Sequence, residues 1–207
     1  MKKTIVILLT LVLMLASFAG CKKASEPAIV GGWVLPESPV ITEELQASLD
    51  KALEGLVGAN YIPVACIGRQ LVSGTNYKIL CRVSPVVPNP TEKYCVVILY
   101  VDLEGNAKIT TVLETGIDTN IASGTAMGGW TAAESVEITP KLEKAFRKAT
   151  KDLDTDYTPV ALCSTQLVSG TNYCIVAASD GGYSLVTLYQ NLKGNVEVLD
   201  IANILNE

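Results

Sequence analysis

An eight-residue sequence that occurs twice is the feature that most constrains this chain. Gln-Leu-Val-Ser-Gly-Thr-Asn-Tyr occupies residues 70–77 and, without a single change, residues 166–173. Each copy lies inside a longer repeat that opens with Gly-Gly-Trp, at residues 31–33 and 128–130. The chain is therefore a tandem duplication. Unbroken identity between otherwise diverged copies indicates either a turn that both must form or a surface that both must present.

Residues 1–21 have the composition of an export signal. Lys2 and Lys3 are followed by an apolar stretch and then by small residues. Because Phe-Ala-Gly leads directly into Cys21, the segment resembles the signal of a bacterial lipoprotein, whose cysteine is lipidated and becomes the mature N-terminus. A plain secretory signal that is cut near Ala19 is the alternative. The first interpretation predicts an extracytoplasmic protein that is anchored to the bacterial cell membrane by lipid on Cys21.

Composition excludes several classes of function. Without Lys2 and Lys3 the chain keeps 14 of its 16 basic residues against 21 acidic ones, a net charge of -7. This argues against nucleic-acid binding, which depends on neutralising phosphates. The chain has no histidine, so nucleophiles activated by histidine, imidazole acid–base catalysis and imidazole metal ligands are excluded. We expect a protein that is not an enzyme and that needs no metal or cofactor.

Each repeat combines one helical segment with a run of strands. Apolar residues recur at helical spacing after Thr42 in the first repeat, and after Thr139 and Pro140 in the second. Short connections between the following strands permit only antiparallel neighbours. The predicted strands cover residues 61–67, 77–83, 94–102 and 107–113 in the first repeat, and 158–163, 173–178, 183–190 and 196–201 in the second.

This pattern predicts an α+β fold of two tandem domains, each with one helix packed on a four- to five-stranded antiparallel sheet. The predicted boundaries are a tether at residues 22–30, a first domain at 31–114, a linker at 115–127 and a second domain at 128–207. Residues 84–90 hold three prolines, so we expect a stiff loop that projects from the first domain only.

The register of the strands suggests one disulfide. A tight turn at Asp180 and Gly181 would place Ala177 opposite Ser184. Aligning the repeats puts Cys81 and Cys95 at the corresponding positions, which lie at about disulfide distance. If a bridge forms we expect it to join Cys81 and Cys95 and to leave Cys66 free. A pair formed by Cys163 and Cys174 has less support.

A glycine near the start of each repeat, a capped helix and Gln-x-Val-x-Gly between two strands together resemble a cystatin, an inhibitor of papain-like cysteine proteases. In that family an N-terminal strip, the Gln-x-Val-x-Gly hairpin and a second hairpin form a wedge that fills the protease cleft. The resemblance implies that this wedge holds Gly31, Gly32, Gln70, Leu71, Val72, Ser73 and Gly74 in the first repeat, and Gly128, Gly129, Gln166, Leu167, Val168, Ser169 and Gly170 in the second.

This chain departs from the cystatin pattern at the second hairpin. The family's Pro-Trp is replaced by Asp102-Leu103 in the first repeat and by Asn191-Leu192 in the second. Loss of a tryptophan removes a residue type that is often a binding hot spot. We therefore carry two hypotheses, a reversible inhibitor of papain-like proteases and a non-inhibitory binding or structural module of cystatin-like fold. The expected partner is a cysteine protease or another extracytoplasmic protein.

Overall fold

The computed structural model describes residues 31–119 and 129–206, and the first of these ranges forms one antiparallel sheet with one helix. Its five strands are ordered β1-β2-β3-β4-β5. Every neighbouring pair is antiparallel. The elements are β1 (Trp33–Val34), α1 (Glu43–Leu53), β2 (Ala59–Val72), β3 (Gly74–Pro85), β4 (Lys93–Val101) and β5 (Ala107–Asp118).

Residues 129–206 repeat this arrangement in a second five-stranded antiparallel sheet, ordered β10-β9-β8-β7-β6. The equivalent strands of the two repeats occupy equivalent places, since β6 pairs with β7 as β1 pairs with β2. The elements are β6 (Trp130–Ala132), α2 (Pro140–Thr150), β7 (Thr158–Val168), β8 (Gly170–Ser179), β9 (Gly182–Asn191) and β10 (Val196–Asn206).

Both helices begin where the sequence predicts. The side chain of Thr42 accepts a hydrogen bond from the backbone N–H of Leu45, and Thr139 does the same for Leu142. Pro140 occupies the first turn of α2, where its missing N–H costs nothing. Each helix then buries its apolar side against one face of its own sheet, as Leu45 and Leu49 do in α1, and Leu142 and Phe146 do in α2.

The opposite faces of the two sheets pack against each other. Strand residues alternate between faces, so in β3 Ile79 packs towards α1 whereas Leu80 packs towards the second sheet. The layer between the sheets is one continuous core with members from both repeats. Its buried residues are Ala65, Ile67, Leu80, Tyr94 and Val96 from the first sheet, and Val160, Ala161, Cys163, Cys174, Val176, Tyr183, Leu185 and Ile204 from the second.

The predicted fold class is therefore wrong. Of the residues that the structure describes, 54% are in strands and 13% in helices, and the two helices within these ranges lie outside two five-stranded sheets. Two tandem α+β domains would each have a core between one helix and one sheet face. Here the other face of each sheet is also apolar and is covered by the partner sheet, because an exposed apolar face of that size is unfavourable in water.

Three finer predictions concern the linker, the turn after Ser179 and the proline-rich loop. Strand β5 continues to Asp118, so residues 115–118 are strand rather than linker. The turn after Ser179 pairs that residue with Gly182 and sets Ala177 opposite Ser184, which confirms the predicted register. Val86 and Val87 in the proline-rich loop are exposed, as expected of a projection. The signal segment, Cys21, the tether at 22–30, residues 120–127 of the linker and Gly128 lie outside the described residues.

Candidate functional site

Three segments of the first repeat meet at one end of the first sheet, which we name end 1. They are the strip at residues 31–33, the hairpin at 70–74 and the turn at 102–106 between β4 and β5. Trp33 pairs with Gln70 across β1 and β2, while Thr75 pairs with Val101 across β3 and β4. The structure thus brings together the residues of the first repeat that the resemblance assigned to a wedge.

The second repeat builds the same arrangement, which we name end 2, from residues 129–130, 166–170 and 191–195. Trp130 pairs with Gln166 in the strip, and Gly170 pairs with Asn191 in the neighbouring turn. Equivalent residues therefore meet twice in one molecule. The identity of the two octapeptides is accompanied by the same pairing of tryptophan with glutamine in both strips.

Hydrogen bonds explain why glutamine and asparagine recur in the octapeptide. The Gln70 amide donates to the carbonyl of Gly31 at 2.9 Å and accepts from the Asn76 amide at 2.6 Å. The backbone N–H of Gly31 donates to the carbonyl of Leu71 at 3.0 Å. In the second repeat Asn172 donates to Gln166 at the same 2.6 Å. In the first repeat these contacts hold the N-terminal strip against the hairpin.

The recurring glycine is required by the close approach of the neighbouring strand. Gly74 has φ 137° and Gly170 has φ 139°, both in the region that L side chains rarely adopt. A Cβ on Gly74 would lie 2.5 Å from the carbonyl oxygen of Val101, and a Cβ on Gly170 would collide with the carbonyl oxygen of Gln190. Glycine at these positions lets the two hairpins of each end lie side by side.

A tyrosine that sequence reasoning missed fixes each hairpin turn. The Tyr100 hydroxyl donates to the carbonyl of Ser73 at 2.7 Å, and the Tyr189 hydroxyl donates to the carbonyl of Ser169 at 2.8 Å. Tyr100 and Tyr189 stand on β4 and β9, far from the octapeptide in sequence. The signal that could have found them is their equivalent position just before the second turn in both repeats.

The second turns are tight and are organised by their first residue. The Asp102 carboxylate accepts from the backbone N–H groups of Glu104 and Asn106 and from the Asn106 amide, and that amide bond is the main reason why the pKa of Asp102 is lowered. Asn191 accepts from the backbone N–H groups of Lys193 and Asn195 in the same way. Each turn therefore presents its second residue, a leucine, outward.

The apolar residues of the two ends lie largely at the surface. Val72 is 38% exposed and Val168 is 42% exposed, at the tips of their hairpins. Leu103 is 86% exposed and Leu192 is 87% exposed at the second turns. Leu71 and Leu167 are exposed as well. Hydrogen bonding and close packing account for Gln, Gly and Asn, whereas the repeated Leu and Val are the apolar residues that each end presents to solvent.

Trp33 and Trp130 are half-buried, and each ring packs against other residues. The Trp33 ring lies 4.1 Å from the Nζ atom of Lys78, a buried lysine of β3. Burial lowers the pKa of Lys78 to about 8. Trp130 packs against the core between the sheets. The tryptophans therefore do not replace the Pro-Trp that the second hairpins lack.

The cysteines lie away from both ends. Cys81 and Cys95 are register partners on the face that packs against α1, and both thiols are free. Cys163 and Cys174 are neighbours in the layer between the sheets, and Cys66 is buried beside α1. Among residues 31–119 and 129–206, no group of His, Cys, Asp and Glu side chains is arranged to hold a metal ion.

Neither helix in the described ranges combines the length and the apolar composition that a membrane span requires. No protein-family model matches this chain, and no curated protein sequence matches it.

Proposed function

We propose that this chain is a reversible inhibitor of papain-like cysteine proteases, anchored outside the cell by lipid on Cys21, and that each end occupies an active-site cleft. The observation that carries the proposal is the meeting of three segments at each end, with Val72 and Leu103 exposed at end 1, and Val168 and Leu192 exposed at end 2. Exposed apolar side chains on two neighbouring turns suit a partner that offers an apolar cleft.

Each end is already held in one conformation before binding, which favours tight binding. Hydrogen bonds from Gln70 and Tyr100 hold the strip and the hairpin in place before any partner arrives. A ligand that is already ordered loses little conformational entropy on binding. The exposed apolar side chains then supply the area that is buried in the complex.

The same geometry favours inhibition over cleavage. Val72 pairs with Gly74 across the hairpin, so the backbone on both sides of Ser73 belongs to paired strands. A peptide bond held in this way cannot take the extended path through a protease cleft that cleavage requires. We therefore expect a plug that binds reversibly and competes with substrate.

Inhibition of papain by the full chain, purified in detergent, tests the proposal. We expect competitive inhibition, with the apparent KM raised and kcat unchanged. Combining Val72→Asp with Val168→Asp should raise the inhibition constant about a hundredfold, since a charge at each hairpin tip would be desolvated in an apolar contact. Leu199→Asp is the matched control, because Leu199 is an exposed apolar residue of β10 outside both ends.

A second candidate function is a non-inhibitory surface binding module. Leucine instead of Pro-Trp at the second turns favours it, because the tryptophan hot spot is missing at both ends. Absence of papain inhibition at micromolar concentrations of the wild-type chain would contradict the inhibitor proposal and leave this alternative. Metabolic labelling with palmitate, compared with a Cys21→Ser variant, tests the lipid anchor separately.

A further inference from the structure

The two ends lie at opposite ends of the molecule, as the contacts of Tyr183 establish. Tyr183 is the second residue of β9, far along that strand from end 2 at Asn191. Its hydroxyl nevertheless lies 3.2 Å from the position of a Cβ on Gly68, and its ring lies 5.2 Å from the Nζ atom of Lys78. Gly68 and Lys78 belong to the halves of β2 and β3 next to end 1. End 1 therefore overlies the part of the second sheet that is remote from end 2.

Tyr94 makes the reciprocal contact. It is the second residue of β4, remote from end 1, and its side chain lies near Cys163 and Cys174 in the core between the sheets. Cys163 lies at the middle of β7, and Cys174 lies in the half of β8 next to end 2. The same relationship thus holds in both directions, and equivalent strands of the two sheets run antiparallel to each other across the central core.

We propose that one chain binds two protease molecules at once, one at each end, so that it bridges them. This inference rests on the proposed function and adds the number of protease molecules that one chain binds. Strands of 10 to 14 residues separate the two ends by roughly 35–45 Å. The partners approach from opposite directions and do not compete for space.

The two ends differ in charge, which makes them distinguishable. The second turn of end 1 carries Asp102 and Glu104, whereas the same positions of end 2 carry Asn191 and Lys193. A protease with a basic rim therefore binds more tightly at end 1, and one with an acidic rim binds more tightly at end 2. For a given protease the two sites have unequal affinity.

Native mass spectrometry and titration calorimetry of the full chain in detergent with papain test the inference, using papain whose catalytic cysteine is replaced by serine. We expect two papain molecules for each wild-type chain. Val72→Asp and Val168→Asp, made singly, should each leave one papain molecule bound, and the combined variant should leave none. Leu199→Asp should still bind two.

Leu103→Asp and Leu192→Asp provide a second pair of variants, at turn positions so exposed that the substitutions do not disturb packing. They should each remove one papain molecule or weaken its binding at least tenfold. Exchanging the charges with Glu104→Lys and Lys193→Glu should reverse the order of the two affinities in the titration.

The outcomes separate this inference from the proposed function. One papain molecule per wild-type chain, with competitive inhibition intact, would overturn the two-ended arrangement and leave the inhibitor proposal standing. Two papain molecules bound to both single Val→Asp variants would overturn the assignment of the sites to end 1 and end 2. No complex at all would overturn the inhibitor proposal, and the bridging inference with it.

Discussion

Cys81 of β3 lies directly opposite Cys95 of β4, on the sheet face that α1 covers. Opposed residues of antiparallel strands are separated by a distance that a disulfide can span. Hydrogen bonding with the Cys81 thiol lowers the pKa of Cys95, so Cys95 is the more readily ionised partner. The pair is therefore arranged for disulfide formation once an oxidant is supplied.

Treatment of the unfolded chain with oxidised glutathione, followed by refolding, should join Cys81 to Cys95. The two thiols lose two hydrogens, and one glutathione disulfide is reduced to two glutathione thiols. Because the bridge restricts the unfolded state, it should raise the free energy of unfolding by about 3 kcal/mol. Peptide mapping should find Cys66 alkylated and free, and a bridge that includes Cys66 would contradict the prediction.

Replacing Gly74 by alanine should destabilise the fold by about 2–4 kcal/mol. The new Cβ would sit 2.5 Å from the carbonyl oxygen of Val101, at a φ of 137°. Gly105→Ala is the matched control, since Gly105 also has a positive φ but open space around it, and its cost should be about 1 kcal/mol. Urea unfolding measures both, and equal losses would show that the close strand contact is unimportant.

Stability should depend on pH through Lys78. Its pKa is lowered by burial to about 8 from a usual 10.5, so between these values the unfolded chain holds more protons than the folded one. The free energy of unfolding contributed by this residue therefore rises from pH 8 to pH 10.5 and is constant below pH 8. A pKa difference of this size corresponds to a rise of about 3 kcal/mol.

Comparison with Lys78→Met isolates this contribution from other titrating groups. The stability of the variant relative to wild type should be greatest below pH 8 and should decline towards pH 10.5, when the wild-type amine becomes neutral. Urea unfolding at several pH values in this range measures the difference. A difference that does not change with pH would contradict the assignment.

Replacing Gln70 by alanine should release the N-terminal strip from the hairpin of end 1. The amide of Gln70 joins Gly31 to Asn76, and its removal should cost about 1 kcal/mol of stability and weaken papain binding at end 1 about tenfold. Gln46→Ala is the control, because Gln46 makes one hydrogen bond, to Asp50, on the exposed side of α1. Equal binding by the two variants would indicate that the strip does not contribute.

Local features could be predicted because the residues that produce them lie within a few positions of one another in the sequence. Thr42 and Thr139 start the helices with side chains that bond three residues ahead, and the turn at Asp180 and Gly181 sets a register that extends along both strands. The opposition of Cys81 and Cys95 followed from that register together with the alignment of the two repeats. Tyr100 was missed because its hydroxyl bonds to Ser73, a residue 27 positions away.

The pairing of the two sheets could not be predicted from the repeat. Strand β4 has apolar residues on both faces, with Val96 and Val97 both buried, which indicates that each face is covered. A helix covers one face, and no motif near β4 in the sequence predicts that the second sheet covers the other. Residue Lys78 illustrates the difficulty, because a lysine at that position predicts a face exposed to water, although the side chain is 3% exposed.

The residues that meet at each end were implied by the resemblance to cystatins. By itself the sequence determined the duplication, the helix starts and the strand order within each sheet. These depend on contacts between neighbouring segments, whose geometry short turns impose. Only the tertiary structure decided that the two sheets share one core and that the two ends point in opposite directions. Those outcomes depend on which apolar faces are buried together, a choice made between surfaces that are distant along the chain.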